Sequence, residues 1–379
     1  MNTRETKTFL ELLSEMPEHR KGNAIRHKLG DILTIGILCI LCNGETFTGM
    51  ELFGETHEEE LRKYLELPYG IPSHDVFGSV FSRLDTSALE KCFQCWLGAF
   101  REEVVNPTIS IDGKTSRGSK TALQRAKHIV TAYSSDLQLV LGQETVEEKS
   151  NEITAIPLLL EALNLSGCTV TIDAMGTQTE IAQKIIEKGG DYILALKGNH
   201  PSMQEDIRFY FEQEILPQPK QTLKAKEQYA NTLEKGHGRI EGRACYLLND
   251  LSWLEDKVHW AGLHGAALIR TRREVIGQEA SVTDRLYLYS NPDMTAKRVL
   301  QIQRSHWAIE NQLHWMLDVC FHEDNARART GNAAIALNIL RKCALHLLKG
   351  DSSVKGSVTS KRLRCAWDFQ FALNIISSA

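Results

Sequence analysis

The hydrophobic pattern of the chain changes period at Pro107, and the order of elements after that point leaves few folds open. Thr108 to Ile111 alternates into Asp112-Gly113. His128 to Tyr133 and Gln138 to Val146 are two further strand candidates, separated by the turn Ser134-Ser135-Asp136. A helix is predicted over about 152–163, followed by a β-rich run from Cys168 to Ile172 that ends at Asp173. Thr177 and Glu180 form a capping-box pattern ahead of a helix carrying Ile181, Ile185 and Ile186. Gly189-Gly190 closes that helix, and Tyr192 to Leu196 is the next strand. Three consecutive strands suit an antiparallel meander, and strands separated by helices suit parallel neighbours. The expectation is an α/β fold: a mixed sheet with helices on both faces.

The flanking segments read differently. Residues 1–105 are predicted helical, with Leu29, Ile32, Leu33 and Ile37 at helical spacing and Pro68-Tyr-Gly-Ile-Pro72 as a break. Residues 206–290 hold strand-like pieces at Ala244 to Leu248, Gly265 to Thr271 and Arg285 to Ser290, which suggests a β-rich insertion. Long helices are predicted over about 295–317 and 331–348. The core domain is therefore expected from 106–205 together with 291–349. Residues 350–360 read as a Ser/Gly/Lys-rich linker opening a basic tail, 350–379.

The 379 residues are 42% hydrophobic and 24% charged, an ordinary globular balance that argues against disorder or a collagen-like repeat. The longest uncharged apolar run, Ile32 to Cys42, is eleven residues, short of the roughly 20 of a membrane span. Acids interrupt the apolar N-terminus, so no signal peptide is expected. Nine cysteines without an export signal read as reduced thiols of a cytoplasmic protein. Cys39-x-x-Cys42 and Cys92-x-x-Cys95 lack the turns of a zinc knuckle and read as packed thiols. The net charge of −4 excludes a globally basic nucleic-acid binder. Charge is nonetheless segregated: residues 325–364 hold nine Lys and Arg against one acid, Asp351, and Lys114 to His128 holds five basic residues and no acid. Such tracts can hold a polyanion locally.

Asp112 and Asp173 each follow an apolar strand, where open sheets collect ligand-facing groups. A single such aspartate is ordinarily a turn residue, but two on one sheet point to a divalent-cation site. A third acid, Glu310, lies in Arg304-Ser-His-Trp-Ala-Ile-Glu-Asn-Gln-Leu-His-Trp315. On a helix His306, Glu310 and His314 share one face. Three carboxylates from two strands and a helix could hold two magnesium ions for an in-line phosphoryl displacement. A zinc hydrolase built on His306, Glu310 and His314 lacks a nearby fourth ligand.

Several longer motifs occur in a fixed order: Ser-Ile-Asp-Gly-Lys-Thr (110–115), Glu-Lys-Ser-Asn-Glu-Ile-Thr-Ala-Ile-Pro (148–157), Asp-Ala-Met-Gly (173–176), Gly-Gly-Asp-Tyr (189–192), Ala-Leu-Lys-Gly-Asn (195–199), His-Gly-Arg-Ile-Glu-Gly-Arg (237–243) and His-Trp-Ala-Ile-Glu-Asn-Gln-Leu-His-Trp-Met-Leu-Asp-Val (306–319). With Gly70-Ile-Pro-Ser-His-Asp75 in front and Arg329-Thr-Gly-Asn332 behind, the chain resembles insertion-sequence transposases of the H-repeat-associated type almost end to end.

That resemblance implies a ribonuclease-H-like fold and DDE chemistry, with Asp112, Asp173 and Glu310 as the three catalytic acids and ligands of two Mg2+ ions, or of Mn2+. It implies cleavage and transfer of DNA strands at element ends, double-stranded DNA as partner, a homodimer in the synaptic complex, nucleoid association when DNA is bound, and no membrane partner. The superfamily's Tyr-x-x-Arg-x-x-x-Glu-x-x-x-x-x-x-Lys helix pattern is not kept: Gln303, His306 and Leu317 stand at its Tyr, Arg and Lys positions. His306, Asn311 and His314 are candidate replacements. Lys114, Lys197, Asn199, Arg239 and Arg329 are further candidate DNA contacts. Two alternatives remain open: a two-metal nuclease on the same fold, and an inactive or domesticated DNA-binding relic of an insertion element.

Overall fold

The computed structural model describes residues 7–22, 25–98, 104, 106–120, 125–146, 152–236, 238–275 and 277–377. Glu148 to Asn151, His237 and the part of the first basic tract at 121–124 lie outside the described residues.

Nine strands form one sheet: β1 Thr108–Thr115, β2 His128–Ser134, β3 Leu139–Val146, β4 Thr169–Ile172, β5 Asp191–Leu196, β6 Tyr229–Gly236, β7 Arg239–Leu248, β8 Gly265–Val275 and β9 Ser281–Tyr289. Their order is β3-β2-β1-β4-β5-β9-β8-β7-β6. β1, β2 and β3 form the antiparallel meander, and β4 and β5 add parallel to β1. β9 then runs antiparallel to β5, so the strands of the insertion extend the main sheet instead of building a separate one. The central strands are buried on both faces: Thr108 to Ile111 and Thr169 to Ile172 have no exposed position. Strands buried on both faces often read as continuous apolar runs, but these two alternate with Thr and Ser, which are buried here with the apolar residues.

Helices cover both faces. Glu152–Ala162 lies on β2 and β3. A long helical segment runs from Ala296 to Phe321 and crosses the other face over β1 and β4, β6 and β7. Beneath it, Ile193, Leu247, Ile269 and Tyr287 pack against Val299 and Ile302. The helix Ala333–Gly350 packs on Leu29–Leu41, His74–Arg83 and Thr86–Gly98, so the front helices share one continuous apolar core with the sheet. No helix among the described residues is long and apolar enough to cross a membrane.

Three expectations need correction. The capping-box expectation at Thr177 does not hold: the Thr177 hydroxyl donates to the Ala195 carbonyl at 2.7 Å, and Gln178 is the N-cap without a side-chain cap bond. Asp112 is not at a strand end, because β1 continues to Thr115 along β2. The tail is not a free basic extension. After a short loop it forms helices Val358–Trp367 and Phe369–Ser377, packed on the front helices. The physical reason is the apolar face Phe371, Leu373, Ile375 and Ile376, together with the burial of Lys361 and Arg362.

The Cys-x-x-Cys pairs lie on helices. Burial pushes the Cys39 and Cys92 thiols up to about 12, which disfavours the thiolate form that metals bind.

Candidate active site

Strand register builds the site. Ile111 of β1 pairs with Ile172 of β4, so the next residue on each parallel strand, Asp112 and Asp173, are lateral neighbours. β4 ends there, and Asp173 accepts the Met175 amide at 3.0 Å to start a short turn. Gly176 in that turn is required by space, since a side chain would overlap Ile172 and Ile156. Gly113 is constrained in the same way: a methyl group would overlap the paired side chains of His128 and Glu152. The Asp-Gly-Lys and Asp-Ala-Met-Gly motifs are thus an acid followed by room for close packing.

The helix 296–321 brings the third acid. Within it, Ile309–His314 is a π-helical turn that contains both Glu310 and His314. Such wide turns recur at functional sites because they re-aim side chains without ending the helix. The Ser110 hydroxyl donates to the Ser305 carbonyl at 3.2 Å and fixes the helix against β1. His314 Nδ1 stands 3.4 Å from Asp112 Oδ2.

The electrostatics couple these groups. Burial opposes ionisation of Asp112, but the His314 side chain, aided by His306, outweighs it and holds the carboxyl below its ordinary value. Partial burial and then the Asp112 charge raise the Glu310 carboxyl; Asp173 adds to this, while His314 and Arg285 oppose it. Burial lowers His306, with Asp112 and Asp173 pulling the other way. Glu310, whose charge the neighbouring aspartates disfavour, and the two aspartates form an oxygen donor set suited to a hard divalent cation. Among the described residues no three His, Cys, Asp or Glu side chains stand at direct ligating spacing. The fit lies in donor chemistry.

The remaining predicted residues divide by environment. Lys197 and Asn199 follow β5 and are exposed, but the Asn199 amide donates to the carbonyls of Ala174 at 2.7 Å and Thr177 at 3.3 Å, clamping the turn after Asp173. His200 Nε2 adds a contact to Thr177 O at 2.8 Å. Asn311 is exposed, its amide bonded to the Trp307 carbonyl. Arg239 is half-exposed in β7 and lies 3.9 Å from Glu241. Arg329 donates to the Gly118 carbonyl at 3.1 Å, tying its loop to the turn after β1.

Lys114 is a correction to the expectation of a DNA contact. Its ammonium is largely buried, 2.5 Å from Asp318 and 2.6 Å from Glu323. Burial alone would raise the Glu323 carboxyl, but Lys114 and then Arg341 win and hold it down to about 2. One residue missed by sequence reasoning is Arg285, whose charge reaches both Glu310 and His306 and whose guanidinium lies 5.3 Å over the Trp307 ring. Its position in an alternating strand gave no signal of that placement.

Comparison with known proteins decides the family. The family described as Transposase DDE domain matches residues 105–347, and the one described as DDE_Tnp_1-associated matches residues 10–97. The chain belongs to the DDE transposase family. YhhI of Escherichia coli K12, named as a candidate H repeat-associated transposase, is 35% identical over 99% of both chains. YncI of Escherichia coli O157:H7, named as a candidate transposase, is 36% identical over 98% of this chain and 95% of its own. A piggyBac transposase synaptic complex with hairpin DNA covers 98% of this chain and 77% of its own, but at 11% identity and a TM-score of 0.42 it is too distant to bear on the site. As a DDE transposase the chain has a ribonuclease-H-like core, which the order β3-β2-β1-β4-β5 describes here.

Proposed function

We propose that this transposase cleaves and joins DNA strands at the ends of an insertion element, with Asp112, Asp173 and Glu310 as its catalytic acids. The observation that carries this reading is the Ile111–Ile172 register, which sets the two aspartates side by side under the π turn bearing Glu310. In cleavage, the oxygen of water bonds to phosphorus, the P–O3′ bond breaks, and the departing 3′ oxygen takes a proton. In joining, that 3′-hydroxyl attacks a target phosphodiester and displaces the target's own 3′ oxygen, so the number of phosphodiester bonds is unchanged.

The three acids would hold divalent cations, proposed as two Mg2+ with Mn2+ as substitute. A bound pair supplies charge neutralisation to the attacking and leaving oxygens. The protein's own part is positioning. His314 orients Asp112, Asn199 and His200 fix the turn behind Asp173, and Lys197 beside that turn offers a cation to a phosphate oxygen. Two element ends processed together call for a homodimer in the DNA complex.

The test is a set of isosteric variants. Asp112→Asn, Asp173→Asn and Glu310→Gln each remove one ligand charge and keep the volume. Each is expected to abolish Mg2+-dependent cleavage of element-end DNA while the thermal melt and DNA affinity stay near wild type. Wild-type cleavage by any one of them would remove that acid from the site.

A further inference from the structure

His314 meets Asp112 with Nδ1 and also lines an internal cavity of about 10 Å3, the room of one water molecule. Lys114, Thr131, Glu323, Asn338 and Lys342 supply the rest of the polar lining used here. Thr131 is the cross-strand partner of Asp112, and Gln143 that of Thr131, so the three form one row over β1, β2 and β3. Lys342, from the helix Ala333–Gly350, lies on that row. Its ammonium donates to Thr131 Oγ1 at 3.1 Å and to Gln143 Oε1. Burial lowers this ammonium, while the charges of Glu323 and of Glu90, on the front helix Thr86–Gly98, work against that. The cleavage chemistry proposed above makes no use of this buried cation.

Three polar groups on the lining are unmet among the described residues. His314 Nε2 and Asn338 Oδ1 are buried and have no hydrogen-bond partner. An ammonium has three hydrogens, and Lys342 uses two. Lys114 and Glu323 already pair with each other, and the Asn338 amide donates to Glu323 at 2.5 Å. The unmet set is therefore one donor and two acceptors. A water that accepts from the ammonium and donates to the amide oxygen and the imidazole nitrogen meets all three. Those are the three bonds a buried water ordinarily makes. The two ammonium groups on the lining repel a metal cation, and the two unmet acceptors repel an anion.

We infer that Lys342 and Asn338 are positioning residues for the reaction, acting through one buried water that fixes the tautomer of His314. As the acceptor, Nε2 carries no hydrogen. The ring proton then sits on Nδ1 and is offered to Asp112 Oδ2, 3.4 Å away. In metal sites the partner of one imidazole nitrogen decides the state of the other, and so the basicity and aim of a ligand. Here the imidazole passes that constraint to a carboxylate. The inference rests on the reading of Asp112 as a metal ligand.

The test is nuclear magnetic resonance of the full chain, isotope-labelled at histidine, with the His314 signals assigned by their loss in His314→Gln. It is recorded at about pH 8, where an ordinary imidazole is neutral. Wild type should show Nδ1 protonated, Nε2 with the shift of a hydrogen-bond acceptor, and a cross-peak from the ring Hδ2 to a slowly exchanging water. Lys342→Met keeps the stem and removes the donor, and Asn338→Leu keeps the volume and removes the acceptor. In each, the Nε2-protonated form should appear, and Mn2+ binding by calorimetry should weaken roughly tenfold or more, as for lost outer partners of a metal ligand. Lys342→Arg, which keeps a charged donor, should restore most of both. A merely structural role would lower the urea midpoint and leave the tautomer of the folded protein unchanged. That result in both variants, or a wild-type His314 that is protonated on Nε2 or shows no water cross-peak, would overturn the inference. If neither variant folds, the wild-type spectrum decides alone. Cleavage kept by Asp112→Asn would sink the metal-ligand reading and leave the tautomer result standing. A failed tautomer test beside an inactive Asp112→Asn would leave that reading intact.

Discussion

Lys114 and Glu323 show how far a residue's neighbours can lie beyond the reach of its local sequence. Asp112, two positions earlier, was legible because an acid directly after the alternating run Thr108 to Ile111 has little packing use, although the strand runs on past it to Thr115. Lys114 looks equally available in sequence, yet its partners Asp318, in the last turns of the helix 296–321, and Glu323, in the turn after it, lie 204 and 209 residues away. The pair has a measurable consequence. The folded-state carboxyl of Glu323 sits at about 2, below the ordinary value of 4.5. A depressed carboxyl contributes stability that is present above the unfolded value and is lost as pH falls through the folded one. Glu323→Gln should therefore be less stable than wild type at neutral pH. The gap between their urea midpoints should close as pH drops from 4.5 toward 2. A gap that stays constant across that window would mean that Glu323 is held by packing and neutral hydrogen bonds, not by Lys114 and Arg341.

At the scale of elements, existence was easier to read than pairing. The five core strands were legible from alternation and turn residues, and the helix expected over 295–317 is present as a continuous segment that runs on to Phe321. Its π turn was not legible, because a turn one residue wider has the same composition as the α turns around it. The strands of the insertion were partly found, but not that they extend the main sheet: that depends on β9 pairing with β5, a contact between Leu194 and Leu288 that no local pattern reveals. The π turn gives an element-level prediction. Deleting Asn311 should let residues 309–314 relax to regular α-helix while the flanking faces at Ile302 and Leu317 keep their burial. Helix content by circular dichroism should be retained, and Mn2+ binding by calorimetry should be lost because Glu310 and His314 no longer share the Asp112 side. Unimpaired Mn2+ binding in a folded deletion would show that the wide turn is dispensable for the acids.

At the scale of the whole molecule, the basic C-terminal segment is where charge counting misled. Lys361 and Arg362 read as polyanion contacts because a run of cations is usually solvated. Three helices instead end toward them, and helix C-termini present carbonyls with partial negative charge and no partner within the helix. Arg362 is 1% exposed and donates to Ile40 O, through Nε at 3.2 Å and Nη2 at 2.8 Å, near the end of helix Leu29–Leu41. It also donates to Cys320 O near the end of the helix 296–321, and stands 4.4 Å over the Phe321 ring. Lys361 donates to Leu348 O at 2.9 Å and pairs with Asp351 at the end of the Ala333–Gly350 helix. Two neighbouring cations therefore join the tail to the front helices, the helix 296–321 and the helix Ala333–Gly350. Arg362→Met keeps much of the stem but removes the donors, so it should lower unfolding free energy by on the order of 2–4 kcal/mol, as for lost charge-assisted bonds in a buried site. Its effect on DNA should be the opposite of a phosphate contact's: in conditions where the variant is fully folded, the salt dependence of affinity should match wild type. A flattened salt slope with unchanged stability would place the guanidinium on DNA and reverse this assignment.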